Sequence, residues 1–151
     1  MKHSEKAKQL FLEGRNCAQA VFTAFCDVTK IEEETALMLS SSFGGGMGRM
    51  REVCGAVSGM FMVCGLLWGY TSMDDATEKK SHYELVQKLA EKFREKNSTI
   101  ICRELLNNLK PDSTPAPEAR TESYYHARPC LKFVMDACDI LDEMIEERGA
   151  L

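Results

Sequence analysis

The chain has 151 residues, 44% of them hydrophobic and 28% charged, enough to bury one sizeable core and too few for two ordinary domains. Its formal net charge of −4, with both signs interspersed, supplies no basic stripe for a nucleic-acid backbone and no polybasic cluster for an anionic membrane. Composition therefore predicts a single domain over 1–151 and argues against nucleic acid and membrane as partners.

The segment Met1-Lys2-His3-Ser4-Glu5-Lys6 is charged and leads into an amphipathic stretch, unlike a signal peptide. This predicts a soluble, cytoplasmic protein. In that reducing compartment the seven cysteines are not expected to form a permanent disulfide framework, and their odd number prevents complete pairing. Metal binding, redox chemistry and core packing remain.

Helical signals run along nearly the whole chain. Ser4 is placed to cap a first helix in which Ala7, Leu10 and Phe11 share a face, and Gly14 ends it. Asn16 caps a second, whose Cys17, Ala20, Val21, Ala24 and Phe25 form an inward stripe. Thr29 and Glu32 have capping-box spacing before a third helix carrying Ala36, Leu37 and Leu39. This one runs out at Ser40-Ser41-Ser42 and the glycine loop Gly44-Gly45-Gly46-Met47-Gly48.

From Cys54 to Tyr70 no residue is charged, and Gly55/Gly59 and Gly65/Gly69 stand four apart. Glycines at that spacing let neighbouring backbones approach closely, which predicts a central helix wrapped by others. The stretch is shorter than the roughly 20 apolar residues of a membrane span, and charges crowd both its ends.

Ser72 and Asp75 then offer a capping box for a long helix to about Lys96, with Tyr83, Val86, Leu89, Ala90 and Phe93 inward. Asn97 or Ser98 opens a shorter helix through Ile101, Cys102, Leu105, Leu106 and Leu109. Pro111 to Pro129, with four prolines, reads as a loop. A last helix starts at Pro129 or Cys130, with Cys130, Val134, Ala137, Leu141 and Met144 or Ile145 on its apolar face. The fold class is all-α, a compact bundle of about six helices around the central glycine-rich apolar helix.

Helix geometry limits which cysteines can meet. Cys17 and Cys26 would sit roughly 13 Å apart on opposite faces of one helix, Cys54 and Cys64 roughly 15 Å apart, and Cys130 and Cys138 roughly 12 Å apart. Each of these helices can bring one thiol to a common point, and Cys102 adds a fourth. Four thiolates is the number that a tetrahedral zinc or an iron–sulfur cluster requires. Cys17, Cys54 and Cys130 lie at or near helix amino termini, where free N–H groups lower a thiol pKa. Cys26, Cys64 and Cys138 lack that setting and read as packing residues.

The loop Gly44, Gly45, Gly46 and Gly48 could form an anion-accepting nest just before Cys54 or serve as a flexible connector. It matches no nucleotide-binding motif. His3, His82 and His126 lie outside any ligand motif and are expected to be solvated, and Tyr124-Tyr125 to anchor the loop.

Asn16-Cys17-Ala18, the glycine block followed by Cys54-Gly55-Ala56-Val57-Ser58-Gly59, then Cys102 and Cys130, together resemble the C_GCAxxG_C_C family of redox-active proteins, over a span from about Gly14 to Cys138. The resemblance implies a redox-linked cysteine site, and similar domains fused into multicofactor cytochromes point to an iron–sulfur centre.

Three readings follow. In the first, Cys17, Cys54, Cys102 and Cys130 hold an iron–sulfur cluster, or alternatively zinc, for electron transfer with a redox protein partner. In the second, two of these thiols cycle between dithiol and disulfide without a cofactor, with Cys130 or Cys54 attacking. In the third, the cysteines only pack. The glycine-lined helix could also serve a homodimer.

Overall fold

The structure, a computed structural model, describes residues 1–74, 76–107 and 112–149, with the side chains of Ser123, His126 and Ala127 excepted. In chain order it contains α1 (His3–Leu12), α2 (Cys17–Ala24), α3 (Cys26–Thr29), α4 (Glu33–Ser40), a 3-10 turn (Ser41–Phe43), α5 (Gly44–Met47), α6 (Gly55–Trp68), α7 (Ala76–Asn97), α8 (Cys102–Leu105), α9 (Glu122–Ala127) and α10 (Cys130–Arg148). The fold is all-α: among the described residues the sole strand-like feature is an isolated antiparallel bridge between Val53 and Ile101. Six of these helices, α1, α2, α4, α6, α7 and α10, have eight residues or more. No described helix is long and apolar enough to cross a membrane.

The best-defined helix start is that of α2. Gln19 N–H donates to Asn16 Oδ1 at 2.9 Å and Asn16 N–H donates to Gln19 Oε1 at 3.0 Å, a reciprocal capping box that satisfies two orphan donors. Beyond the expected stripe, α2 also buries Ala18, Phe22 and Thr23, so it is enclosed on nearly all sides by α1, α4, α6 and α10. A helix apolar all round belongs in a core, and α2 shares the centre of the bundle with α6.

Of the two glycine pairs in α6, one packs. A Cβ on Gly55 would lie 3.1 Å from the Cys17 Cβ, and one on Gly59 2.9 Å from the Ala18 carbonyl oxygen and 3.0 Å from the Val21 Cβ. Gly65 faces open space, and Gly69 follows the helix end. The amino-terminal half of α6 is therefore pressed onto α2, and the carboxy-terminal half reaches the surface, where Leu66 is exposed.

Several local expectations change. Ser4 lies inside α1 and is buried, with Lys2 at the N-cap, because α1 starts one residue before Ser4. Thr29 ends α3, Lys30 takes the left-handed conformation and Glu32 caps α4, on which Leu39 is exposed. Tyr83 is exposed and Leu85 takes the buried place on α7. The proline-rich stretch is not all loop, since Thr121 caps α9 by accepting the Tyr124 N–H. Asp75 of the expected capping box, Leu109 and Pro111 lie outside the described residues, as does the His126 side chain. His3 is not solvated: its ring stacks on Phe25 at 4.0 Å, with Nδ1 2.7 Å from Asp142 and Nε2 2.9 Å from Asp27.

The two ends of α6 respond oppositely to one methyl group. Gly59→Ala gains about 1 kcal/mol of helix propensity but overpacks the α2 contact, for a net loss of about 1–2 kcal/mol, whereas Gly65→Ala stabilises by about 0.5–1 kcal/mol. Urea unfolding of the two variants checks the signs, and equal effects would contradict the packing described.

Candidate functional site

Four separate segments bring Cys17, Cys54, Cys102 and Cys130 to the wall of one internal cavity of about 60 Å³. Cys17 and Cys130 are the first residues of α2 and α10, Cys54 is the N-cap of α6, and Cys102 opens α8. Gly45, Gly46, Arg51, Arg120, Arg128 and Tyr124 line the same space, closed by Leu105, Leu106 and Phe133. Cys64 and Cys138 are buried in the core away from it, and Cys26 sits half-buried at the start of α3. A larger surface depression of about 540 Å³ around Met73 and Lys79 has no cysteine in its lining.

Backbone contacts fix the cysteine pair Cys54 and Cys102. Cys54 N–H donates to the Ile100 carbonyl at 2.8 Å, Cys102 N–H to Glu52 at 2.6 Å and Arg103 N–H to Arg51 at 3.1 Å. This short antiparallel clamp joins two segments far apart in sequence. The glycine loop folds underneath it. Gly45, Gly46, Met47, Gly48, Arg49 and Arg51 all have positive φ, a conformation favourable only for glycine. A Cβ on Gly46 would lie 2.6 Å from the Cys102 Cβ, and one on Gly44 2.5 Å from the Asn16 side chain.

The loop closes on itself. The N–H groups of Arg49, Arg51 and Glu52 donate to the carbonyls of Gly44, Gly45 and Gly46. Its glycines act by close approach, bringing backbone against Cys102 and Asn16 where any side chain would hold them apart.

Of Cys17, Cys54 and Cys130, only Cys130 lies below the ordinary thiol value, and neighbouring side chains rather than its helix end lower it. Cys130 is lowered below the ordinary thiol value, first by a hydrogen bond from Cys17 and then by the Arg128, Arg120 and Arg51 charges, against the cost of burial. Cys17, which keeps the shared proton, is raised, first by that hydrogen bond and then by burial. Cys54 is pushed up to about 12 because burial outweighs the backbone N–H groups of Val57 and Ala56. In a low-dielectric cavity desolvation exceeds what one helix end can return. Cys102 is likewise raised by burial, with Arg51 opposing.

The arginines were missed in the sequence, although Arg51 and Arg128 stand three and two residues before Cys54 and Cys130. Arg51 is 5% exposed. Its Nε donates to the Asp112 carbonyl at 2.8 Å and its Nη1 to Cys102 Sγ at 3.8 Å. Among the described residues it has no ion-pair partner. Arg120 lies over the Phe11 ring at 4.5 Å, near Tyr124 and Tyr125, and donates to the Phe11 and Arg15 carbonyls. Arg128 stacks on Tyr124 at 5.0 Å and pairs with Glu118.

Among the described residues no three Cys, His, Asp or Glu side chains converge tightly enough to hold a single metal ion. The four thiols surround a void instead, larger than the roughly 10–15 Å³ that one water needs. A preassembled zinc site, with each sulfur about 2.3 Å from one point, is not what this geometry presents.

The family described as "Putative redox-active protein (C_GCAxxG_C_C)" matches residues 15–144. The chain belongs to this family. No curated protein and no solved structure matches it. As a member of the C_GCAxxG_C_C family it carries the four cysteines of the cavity inside the matched span.

Buried thiols make stability pH-dependent. Burial, with Asp142 and Asp139, raises Cys138 well above its unfolded value. The reduced, metal-free native state therefore keeps a proton that the unfolded chain releases above about pH 8.5, and stability falls as pH rises, by up to about 1.4 kcal/mol per unit for this thiol. Cys138→Ala should cost about 1 kcal/mol at pH 7 through lost packing. That deficit should shrink between pH 8 and 10; denaturant melts showing a constant deficit would refute the assignment.

Proposed function

We propose that the protein is an electron-transfer module whose cavity takes an iron–sulfur cluster on Cys17, Cys54, Cys102 and Cys130. The observation that carries this reading is Arg51, a buried guanidinium with no ion-pair partner among the described residues, directed at Cys102. Burying an unpaired cation costs several kcal/mol, and an anionic centre in the adjoining cavity would offset that cost. Four thiolates around a cluster form such a centre, and Arg120 and Arg128 add two further charges at the wall.

The donor set also suits a cluster better than zinc. A cluster has its own bulk and accepts thiolates spread around a void, in keeping with four cysteines that enclose space without converging on one point. When bound, it would supply one-electron redox chemistry. The chain's own groups would set the surroundings: Arg51, Arg120 and Arg128 favour the more negative state, and Leu105, Leu106 and Phe133 restrict water.

A second reading rests on Cys17 and Cys130, the first residues of α2 and α10, facing one cavity, with Cys130 lowered and Cys17 raised by their mutual interaction. In this one the Cys130 thiolate attacks a disulfide and expels one substrate sulfur as thiolate, and Cys17, losing its proton, then attacks the Cys130 sulfur of the mixed disulfide and expels the second substrate sulfur, which closes a Cys17–Cys130 disulfide. The dithiol is oxidised to a disulfide as the substrate disulfide is reduced to two thiols.

Anaerobic purification separates the two. The cluster reading expects iron and acid-labile sulfide with sulfur-to-iron charge-transfer absorption, lost in Cys17→Ala, Cys54→Ala, Cys102→Ala and Cys130→Ala but kept in Cys26→Ala and Cys64→Ala. Metal-free protein that reversibly forms a Cys17–Cys130 disulfide would favour the second reading instead.

A further inference from the structure

Outside the thiol cavity lies a wider, open pocket of about 420 Å³, lined among others by Arg49, Arg51, Arg120, Arg128, Tyr124 and Glu118. Arg51, Arg120, Arg128 and Tyr124 also line the thiol cavity, so one wall is shared by both spaces. Four arginines face a single pocket in a chain of net charge −4.

The donors of these arginines are only partly used. Among the described residues Arg51 and Arg120 each give two of their five N–H groups to protein acceptors, Arg128 gives one, and Arg49 directs Nη1 at the Thr114 and Ala116 carbonyls. Glu118 is the one carboxylate lining the pocket among the described residues, shared between Arg128 and, at 3.8 Å, Arg49. Asp112 stands 3.7 Å from Arg49 at the exposed rim. The aromatic faces of Phe11 and Tyr124 hold Arg120 in place without neutralising it.

We propose that this vestibule binds a small polyanion carrying carboxylate or phosphate groups, held against the wall of the thiol cavity. Among the described residues the cations are all guanidinium groups, and no lysine lines the pocket. Planar guanidinium forks recognise carboxylate and phosphate oxygens in pairs, which an ammonium group does not. A pocket with fixed positive charge and low-dielectric walls also concentrates anions at its mouth. Glu118 acts as the internal counter-ion that an incoming anion displaces from Arg49 and Arg128. None of this depends on whether the inner cavity carries a cluster.

Calorimetric titration of the isolated protein with citrate and with inorganic phosphate, against sodium chloride at matched ionic strength, tests the proposal. One site per chain is expected for at least one of the two anions, and the tighter one identifies the ligand as polycarboxylate or phosphate. Glu118→Gln should strengthen binding several-fold, a gain that misfolding cannot mimic, and Arg128→Gln should weaken it at least about tenfold. No heat above the chloride control, or an affinity unchanged in Glu118→Gln, would overturn the proposal. Iron content measured on the same samples keeps a failure of the cluster reading separate from a failure of this one.

Discussion

A methyl group has no room at Gly46 or Gly55, and the candidate site depends on that constraint. Gly55 brings the start of α6 against the start of α2, so that Cys54 and Cys17 reach the same space. Gly46 brings a left-handed loop against Cys102 while the 51–54 and 100–103 segments clamp together. Three cysteines distant in sequence are thereby held by backbone, and the start of α10 delivers the fourth. Holding the ligating or reacting groups on rigid elements is what a redox site needs, since both potential and thiol reactivity depend on small changes in position.

The second constraint is electrostatic. A closed, largely apolar space would ordinarily exclude charge, yet three guanidinium groups border this one. Their positions are fixed by carbonyl acceptors and aromatic faces more than by carboxylates: Arg51 by Asp112 and Cys102, Arg120 by Phe11, Arg15 and Tyr124. The positive field stays available to the sulfurs. Cys130 is lowered first by its hydrogen bond with Cys17 and then by these charges, beside neighbours that burial pushes high.

How far the sequence revealed the molecule follows from which forces act locally. The long helices were legible because a 3.6-residue apolar period and the Asn16 capping box are local signals. One thiol per helix was legible from helix rise, which by itself does not choose Cys17 over Cys26, Cys54 over Cys64 or Cys130 over Cys138. Thiol acidity was misjudged at Cys17, raised first by its hydrogen bond to Cys130, and at Cys54, raised by burial, because both causes come from what is packed around the sulfur and not from the local helix end. The role of the glycine loop was hidden for a related reason: its close approach to Cys102 and Asn16 is set by six left-handed backbone conformations between Gly45 and Arg51 and not by a local sequence pattern. Arg120 reaches the cavity from a proline-rich stretch that gives no periodic signal at all.

The central claim is that four thiols enclose one redox centre. Iron K-edge X-ray absorption on anaerobically isolated protein tests it most directly. The account predicts an all-sulfur first shell with a short iron–iron distance; a shell of oxygen or nitrogen ligands, or protein that holds no iron, would contradict it.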